Sequence, residues 1–215
     1  MNGVSVLILT LNEEANLAEC IDSCGWSDDI IVFDSMSEDR TLEIANTKGV
    51  RLVQRRFDNY AAQRNAALTT VQYKNPWVLM VDADERVSPE LAAEIATTIA
   101  GVGAEVALFR IRRKDFFLGK WLRRSSGYPS WFGRLVRLGH VRVEREVNEE
   151  YIGTVKSATS RHTCTTILST GASPIGSNGT IGIRPWRPSP RCACTTIASW
   201  CGSYLPGTRS TGAAC

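Results

Sequence analysis

The stretch "WVLMVDADERVSPEL", residues 77–91, runs an apolar segment from Trp77 to Val81 straight into Asp82, Asp84 and Glu85. Five apolar residues in a row suit a strand buried on both faces, as in a parallel sheet. Ser88 followed by Pro89 is the start signal of a helix, a capping hydroxyl with a proline in the first turn. The acidic residues therefore fall in the short connection between a buried strand and a helix. In parallel α/β sheets that connection opens onto the crevice where ligands bind.

The flanking sequence repeats the pattern. "VSVLILTLN" (4–12) reads as a buried strand, and "EEANLAECIDSC" (13–24) as a helix with Leu17, Ile21 and Cys24 on one side. "DIIVFDS" (29–35) is the next strand. "SEDRTLEIANTKG" (37–49) is the next helix, with Ser37 as N-cap and Gly49 as C-terminal stop. "VRLVQR" (50–55) is a third strand and "NYAAQRNAALTTV" (59–71) a third helix, ahead of the strand at 77 and the helix at 88–101. Strands alternating with helices through short loops imply an α/β fold, a mostly parallel twisted sheet with helices on both faces. Asn12, Asp34 and Asp82 end their strands, so they are expected at one crevice. Two carboxylates two residues apart can serve one hard cation and leave room for phosphate oxygens. The simpler alternative is an acidic loop whose Asp caps the next helix.

Composition bounds the rest. With 215 residues, 43% of them hydrophobic, the chain can form one domain with an appendage. No apolar run is long enough to span a bilayer, and no signal-peptide pattern opens the chain, so a cytoplasmic location is expected. All 22 acidic residues lie in 1–150, whereas 151–215 holds six Lys or Arg, five of the seven Cys and no acid. Cys192 and Cys194 are too close for the usual zinc spacing, and Cys20 and Cys24 share a helix, so no zinc site is expected.

The segments "VSVLILTLNEEANLAECIDS", "DDIIVFDSMSEDRTLEIA", "AAQRNAAL" and "VLMVDADERVSPEL" together resemble the nucleotide-sugar half of GT-A, family-2-type glycosyltransferases. "YAAQRNAAL", "FFLGKWLRRSSGYPSWFGRLVRLG" and "EVNEEY" are similar, more narrowly, to bacterial lipopolysaccharide core glycosyltransferases that add glucose to the inner core.

The resemblance implies a hexosyl transfer from a UDP-sugar, inverting and dependent on a divalent metal, Mg2+ or Mn2+. Thr10, Asn12 and Glu13 would shape the base pocket, Asp34 would accept a hydrogen bond from uracil, and Arg64 would reach the ribose or diphosphate. Asp82 would face ribose and metal, with Asp84 the main metal ligand. Each has a plainer reading, namely capping for Asn12 and Glu13, a turn with Ser35 for Asp34, and a surface helix position for Arg64. Glu149 and Glu150 are the candidates for the general base, although the related enzymes tend to carry His-Glu where this chain has Asn148-Glu149.

The basic, aromatic-rich segment 109–139 could suit a single-stranded nucleic acid. No RNA-binding motif accompanies it and the acidic crevice would repel a phosphate backbone. A glycolipid or oligosaccharide acceptor, and peripheral contact with the inner membrane surface, are expected instead. An inactive nucleotide-sugar-binding protein and a basic nucleic-acid module are the competing classes.

The expected organisation is a glycosyltransferase-like domain over 1–152, its nucleotide-sugar half reaching to about 100 and its acceptor half starting at 101. A disordered tail, 153–215, would follow. Read one base over, the codons of the tail permit "DGKVGHL" and a string with Tyr-Pro-Phe and Arg-Tyr-Ser segments that resembles the downstream part of the same family. Residues from about Gly153 are therefore expected to be an out-of-frame translation.

Overall fold

The computed structural model describes residues 3–117, 120–122, 129–144, 150–153 and 156–168; of residues 150 and 153–168 it describes the main chain only. All belong to one compact unit, Met1–Pro174. The tail beyond residue 168, and Glu149, lie outside the described residues.

Four strands form the parallel half of the sheet: β1 (Val4–Thr10), β2 (Ile30–Asp34), β3 (Arg51–Gln54) and β4 (Trp77–Asp82). They lie side by side in the order β3-β2-β1-β4. Chain order runs one way from β1 to β3 and then jumps back to β4, so the crevice between β1 and β4 is the topological switch point. Register aligns the exits there: Thr10 pairs with Asp34 and Leu9 with Asp82.

The helices are α1 (Leu17–Ser23), α2 (Thr41–Thr47), α3 (Tyr60–Thr70) and α4 (Pro89–Gly101). Strand alternation sorts them onto two faces. Val4, Val6 and Ile8 of β1 pack with α1, α2 and α4 residues such as Leu17, Ala45 and Leu91. Leu7 packs with Phe33, Met80 and Ala67 of α3 on the other face. Each fully buried Leu, Ile or Phe of this kind contributes about 1.5–3 kcal/mol. Asn59 and Ser88 cap α3 and α4, accepting from Ala62 N at 2.7 Å and Leu91 N at 3.2 Å.

Ser37 does not cap α2. The helix starts four residues later behind Arg40, with no side-chain cap, because Ser37 is already bonded to Asp34 through both its N–H and its hydroxyl.

Beyond β4 the sheet becomes mixed. It continues through β8 (Ser130–Arg137), β6 (Val106–Phe117), β11 (Lys156–Leu168) and β5 (Glu85–Val87), with β7 (Lys120–Trp121) on β6. β8 is antiparallel to both β4 and β6, so residues before and after 101 share one sheet. β9 (Val141–Glu144) and β10 (Glu150–Gly153) form a separate hairpin pair. β11 lies within the stretch expected as tail, and its main chain pairs with β6 and β5.

Candidate active site at the strand exits

The exits of β1 and β4 open into a cleft of about 720 Å³. Its floor includes Thr10, Glu13, Asp82 and Asp84, α3 supplies Tyr60, Gln63 and Arg64, and the far wall comes from Arg110, Arg113, Trp131 and Arg134. The walls thus come from residues on both sides of position 101.

Asp82 is clamped. Arg64 Nη2 donates to its Oδ1 at 3.1 Å and Arg134 Nη2 to its Oδ2 at 2.7 Å. Burial alone would raise this carboxyl, but the two guanidinium groups outweigh it and hold the group below the usual carboxylate range. Asp84 is the opposite case. It is half-buried, no ion pair reaches it among the described residues, and burial together with the charges of Asp82 and Glu13 pushes it up to about 6. An anion held at that cost attracts a cation, so Asp84 suits one end of a divalent ion's coordination shell. Asp82 has both of its oxygens facing guanidinium groups. Among the described residues no cluster of three or more His, Cys, Asp or Glu side chains forms a metal site. An ion here would draw its remaining ligands from phosphate oxygens and water.

Thr10 is 5% exposed and lines the cleft, and its hydroxyl has no hydrogen-bond partner among the described residues. A buried hydroxyl without a partner costs about 1–3 kcal/mol, which a ligand group would recover. Glu13 lines the cleft too, with its Oε2 accepting from Asn16 Nδ2 at 2.8 Å.

Asn12 and Asp34 sit differently. Asn12, exposed and at φ 55°, bridges the two loops, its Oδ1 accepting from Glu38 N and its own N–H donating to Ser37 Oγ. Asn tolerates that left-handed conformation better than most residues. Asp34 is fully buried. It accepts from Met36 N, Ser37 N and Gln54 Nε2 at Oδ2 and from Ser37 Oγ at Oδ1. Its neighbour Ser35 lines the cleft, held by Gln63 Nε2 at 3.0 Å. Asp34 thus shapes the turn that presents Ser35. Glu150 lies in β10 by its main chain.

Sequence reading assigned no role to Glu85, Arg134, Phe57, Tyr60 or Tyr151. Glu85 is 1% exposed, accepting from Arg134 Nη2 at 2.7 Å and from the amide of Asp82 at 3.1 Å. Strand alternation was the available signal, since Ala83, Glu85 and Val87 are buried while Asp84 and Arg86 are only half-buried. Phe57 and Tyr60 meet edge to face at the cleft, with ring centroids 5.2 Å apart. Arg113 lies over Phe132 at 4.5 Å, both of them lining the cleft, and Arg112 lies over the ring of the cleft residue Trp131 at 5.3 Å.

Comparison with known proteins bears on the family and the fold. The family model described as glycosyl transferase family 2 matches residues 5–157. The lipopolysaccharide core biosynthesis glycosyltransferase LpsC of Rhizobium meliloti is 31% identical over 146 residues, 66% of this chain and 53% of LpsC. An uncharacterized glycosyltransferase of Rickettsia typhi is 40% identical over 96 residues, 44% of this chain and 32% of its own length. The matches therefore span between a third and about half of these curated relatives. The crystal structure of S. aureus TarS 1-349 in complex with UDP-GlcNAc superimposes with a TM-score of 0.55, covering 79% of this chain and 60% of that one at 17% identity, a likeness of fold. The sheet with its switch-point cleft is the GT-A architecture, and with the family model reaching from β1 to the start of β11, the chain belongs to glycosyltransferase family 2.

Proposed function

We propose that this protein transfers a hexose, glucose by resemblance, from a UDP-sugar to a lipopolysaccharide-core or other glycan acceptor, with inversion and with a divalent cation, Mg2+ or Mn2+. The observation that carries the reading is the pairing of two unlike carboxylates at one strand exit. Asp82 is neutralised by Arg64 and Arg134, while Asp84, two residues on, has no ion-pair partner among the described residues.

Asp84 would hold the cation, which when bound neutralises charge on the departing diphosphate. Arg64 and Arg134 present positive charge to the same region and keep Asp82 ionised. Thr10 offers a hydroxyl to the nucleoside, and Glu13 and Ser35 shape the pocket around it. Phe57 and Tyr60 supply an aromatic edge at its mouth. Arg110, Arg113 and Trp131 on the far wall suit an anionic saccharide acceptor, since charged groups steer and aromatic faces stack. An inverting transfer also needs a base for the acceptor hydroxyl on the side away from the diphosphate, and Glu149 or Glu150 is proposed for it. Among the described residues no helix is long and apolar enough to cross a membrane. We propose peripheral contact through the basic β6–β8 segment.

Calorimetry of UDP binding with and without Mn2+, followed by transfer assays from UDP-hexoses to lipid-linked core acceptors, tests the reading. Binding strengthened by the cation, with transfer, is expected. Cation-assisted UDP binding without any transfer would select an inactive sugar-nucleotide binder. Salt-sensitive RNA binding that survives Asp84→Ala would select the nucleic-acid module.

The tail from about Gly153 is proposed to be an out-of-frame translation, supported by its lack of acids and its shifted-frame match. Sequencing the codons for Ile152 to Thr154 in related copies of the gene decides it, an intact frame through all of them rejecting the idea.

A further inference from the structure

Two of the side chains that meet at Asp82 were given no role in the donor pocket as read from sequence. Glu85 lies on β5 and Arg134 on β8, and both are buried, at 1% and 5% exposure. A single guanidinium nitrogen, Arg134 Nη2, stands 2.7 Å from Asp82 Oδ2 and 2.7 Å from Glu85 Oε1. The other oxygen of Glu85 accepts the amide N–H of Asp82 at 3.1 Å. Asp82 is thereby fixed at both ends, its main chain by Glu85 and its carboxylate by Arg134, while Arg64 holds the remaining oxygen from α3. Burial would lower the charge state of Arg134, yet Asp82 and Glu85 hold it firmly cationic.

A buried ion pair is a poor device for stability, because apolar residues of similar size often serve as well or better. It is a good device for fixing one arrangement of groups. We propose that Arg134, seated by Glu85, is a positioning residue of the donor site. It keeps Asp82 turned toward the guanidinium groups and away from the cation, so that Asp84 alone of the D-x-D pair is offered to the metal. It also leaves a positive wall for the diphosphate. This rests on the donor-site reading above.

The test compares two affinities with opposite expected signs. Free Mn2+ is measured by electron paramagnetic resonance on nucleotide-free protein, and UDP binding by calorimetry at saturating Mn2+. Arg134→Met frees Oδ2 of Asp82 and removes a positive charge, so Mn2+ should bind about fivefold tighter, the scale of one partly screened charge contact, while UDP binds more weakly by a similar factor. Arg134→Lys keeps the charge and should restore Mn2+ affinity to within about twofold of wild type. Should Arg134→Met fail to fold because a buried charge has lost its ion pair, the Glu85→Gln/Arg134→Met pair removes both buried charges. Local net charge is then unchanged, and tighter Mn2+ binding reports the release of Asp82. Parallel losses of both affinities, or no change in either, in a wild-type background that binds UDP would overturn the positioning role. Wild-type protein that binds no UDP overturns the donor-site reading and this proposal with it.

Discussion

The ring of Tyr151 occupies the space that a side chain at Gly133 would need, since a β-carbon there would lie 2.6 Å from a ring carbon. Both residues line the cleft, so the glycine lets the β10 tyrosine close against β8. Gly133→Ala should cost about 1–3 kcal/mol by overpacking, read from urea denaturation. Adding Tyr151→Ala should make the glycine substitution nearly harmless, and simple additivity of the two changes would contradict the contact.

Asp84 carries a pH signature. Its folded value of about 6 stands above the usual 3.8, so between these values the folded protein binds a proton that the unfolded chain releases. Stability from this group therefore falls as pH rises from about 4 to 6. In metal-free buffer Asp84→Asn should melt higher than wild type at pH 7.5, with the gap closing near pH 4. Mg2+ or Mn2+ should raise the melting temperature of wild type at pH 7.5 and leave the variant unmoved, and the variant should lose transfer. Equal metal-induced shifts in both proteins would remove Asp84 from the metal site.

With four bonds already on its carboxylate, Asp34 should act on nucleotide binding through the turn that carries Ser35. Asp34→Ala should lower stability by about 1–3 kcal/mol, leaving buried donors without an acceptor. Ser37→Ala, which touches the same turn, should lower UDP affinity in the same proportion to its stability loss. An affinity loss in Asp34→Ala far beyond that proportion would establish a direct contact with the base.

The parts of this fold that were legible in the sequence are those governed by local rules. Apolar runs mark β1, β2 and β4, helical spacing marks α1 and α3, and Ser88-Pro89 marks the start of α4. The strand-exit rule groups Asn12, Asp34 and Asp82, of which Asp82 lines the cleft, while Asn12 bridges loops beside it and Asp34 is buried within its turn; Thr10 comes from the family resemblance alone. Ser37 misled because a hydroxyl before a helical pattern signals a cap, whereas a nearby carboxylate competes for it. Arg134 was hidden for another reason. Its partners lie 52 and 49 residues away, and only the register of β8 on β4 brings them into reach. β5 is three residues long and carries too little pattern to announce a strand.

The placement of β8 between β4 and β6 also sets an order of events during synthesis. Residues 4–82 can lay down the four parallel strands, including the first aspartate of the acidic pair, while β8, which supplies Arg134, is still about 50 residues from emerging. Until it arrives, the edge of β4 presents unpaired main-chain groups, a surface prone to accepting foreign strands. Closing so long a loop is slow relative to local helix formation. Nascent chains would therefore pass through a stage with an exposed edge and a half-built cleft, and a chaperone that shields β4 would act while the cleft still lacks the walls supplied by β8 and by Tyr151 of β10.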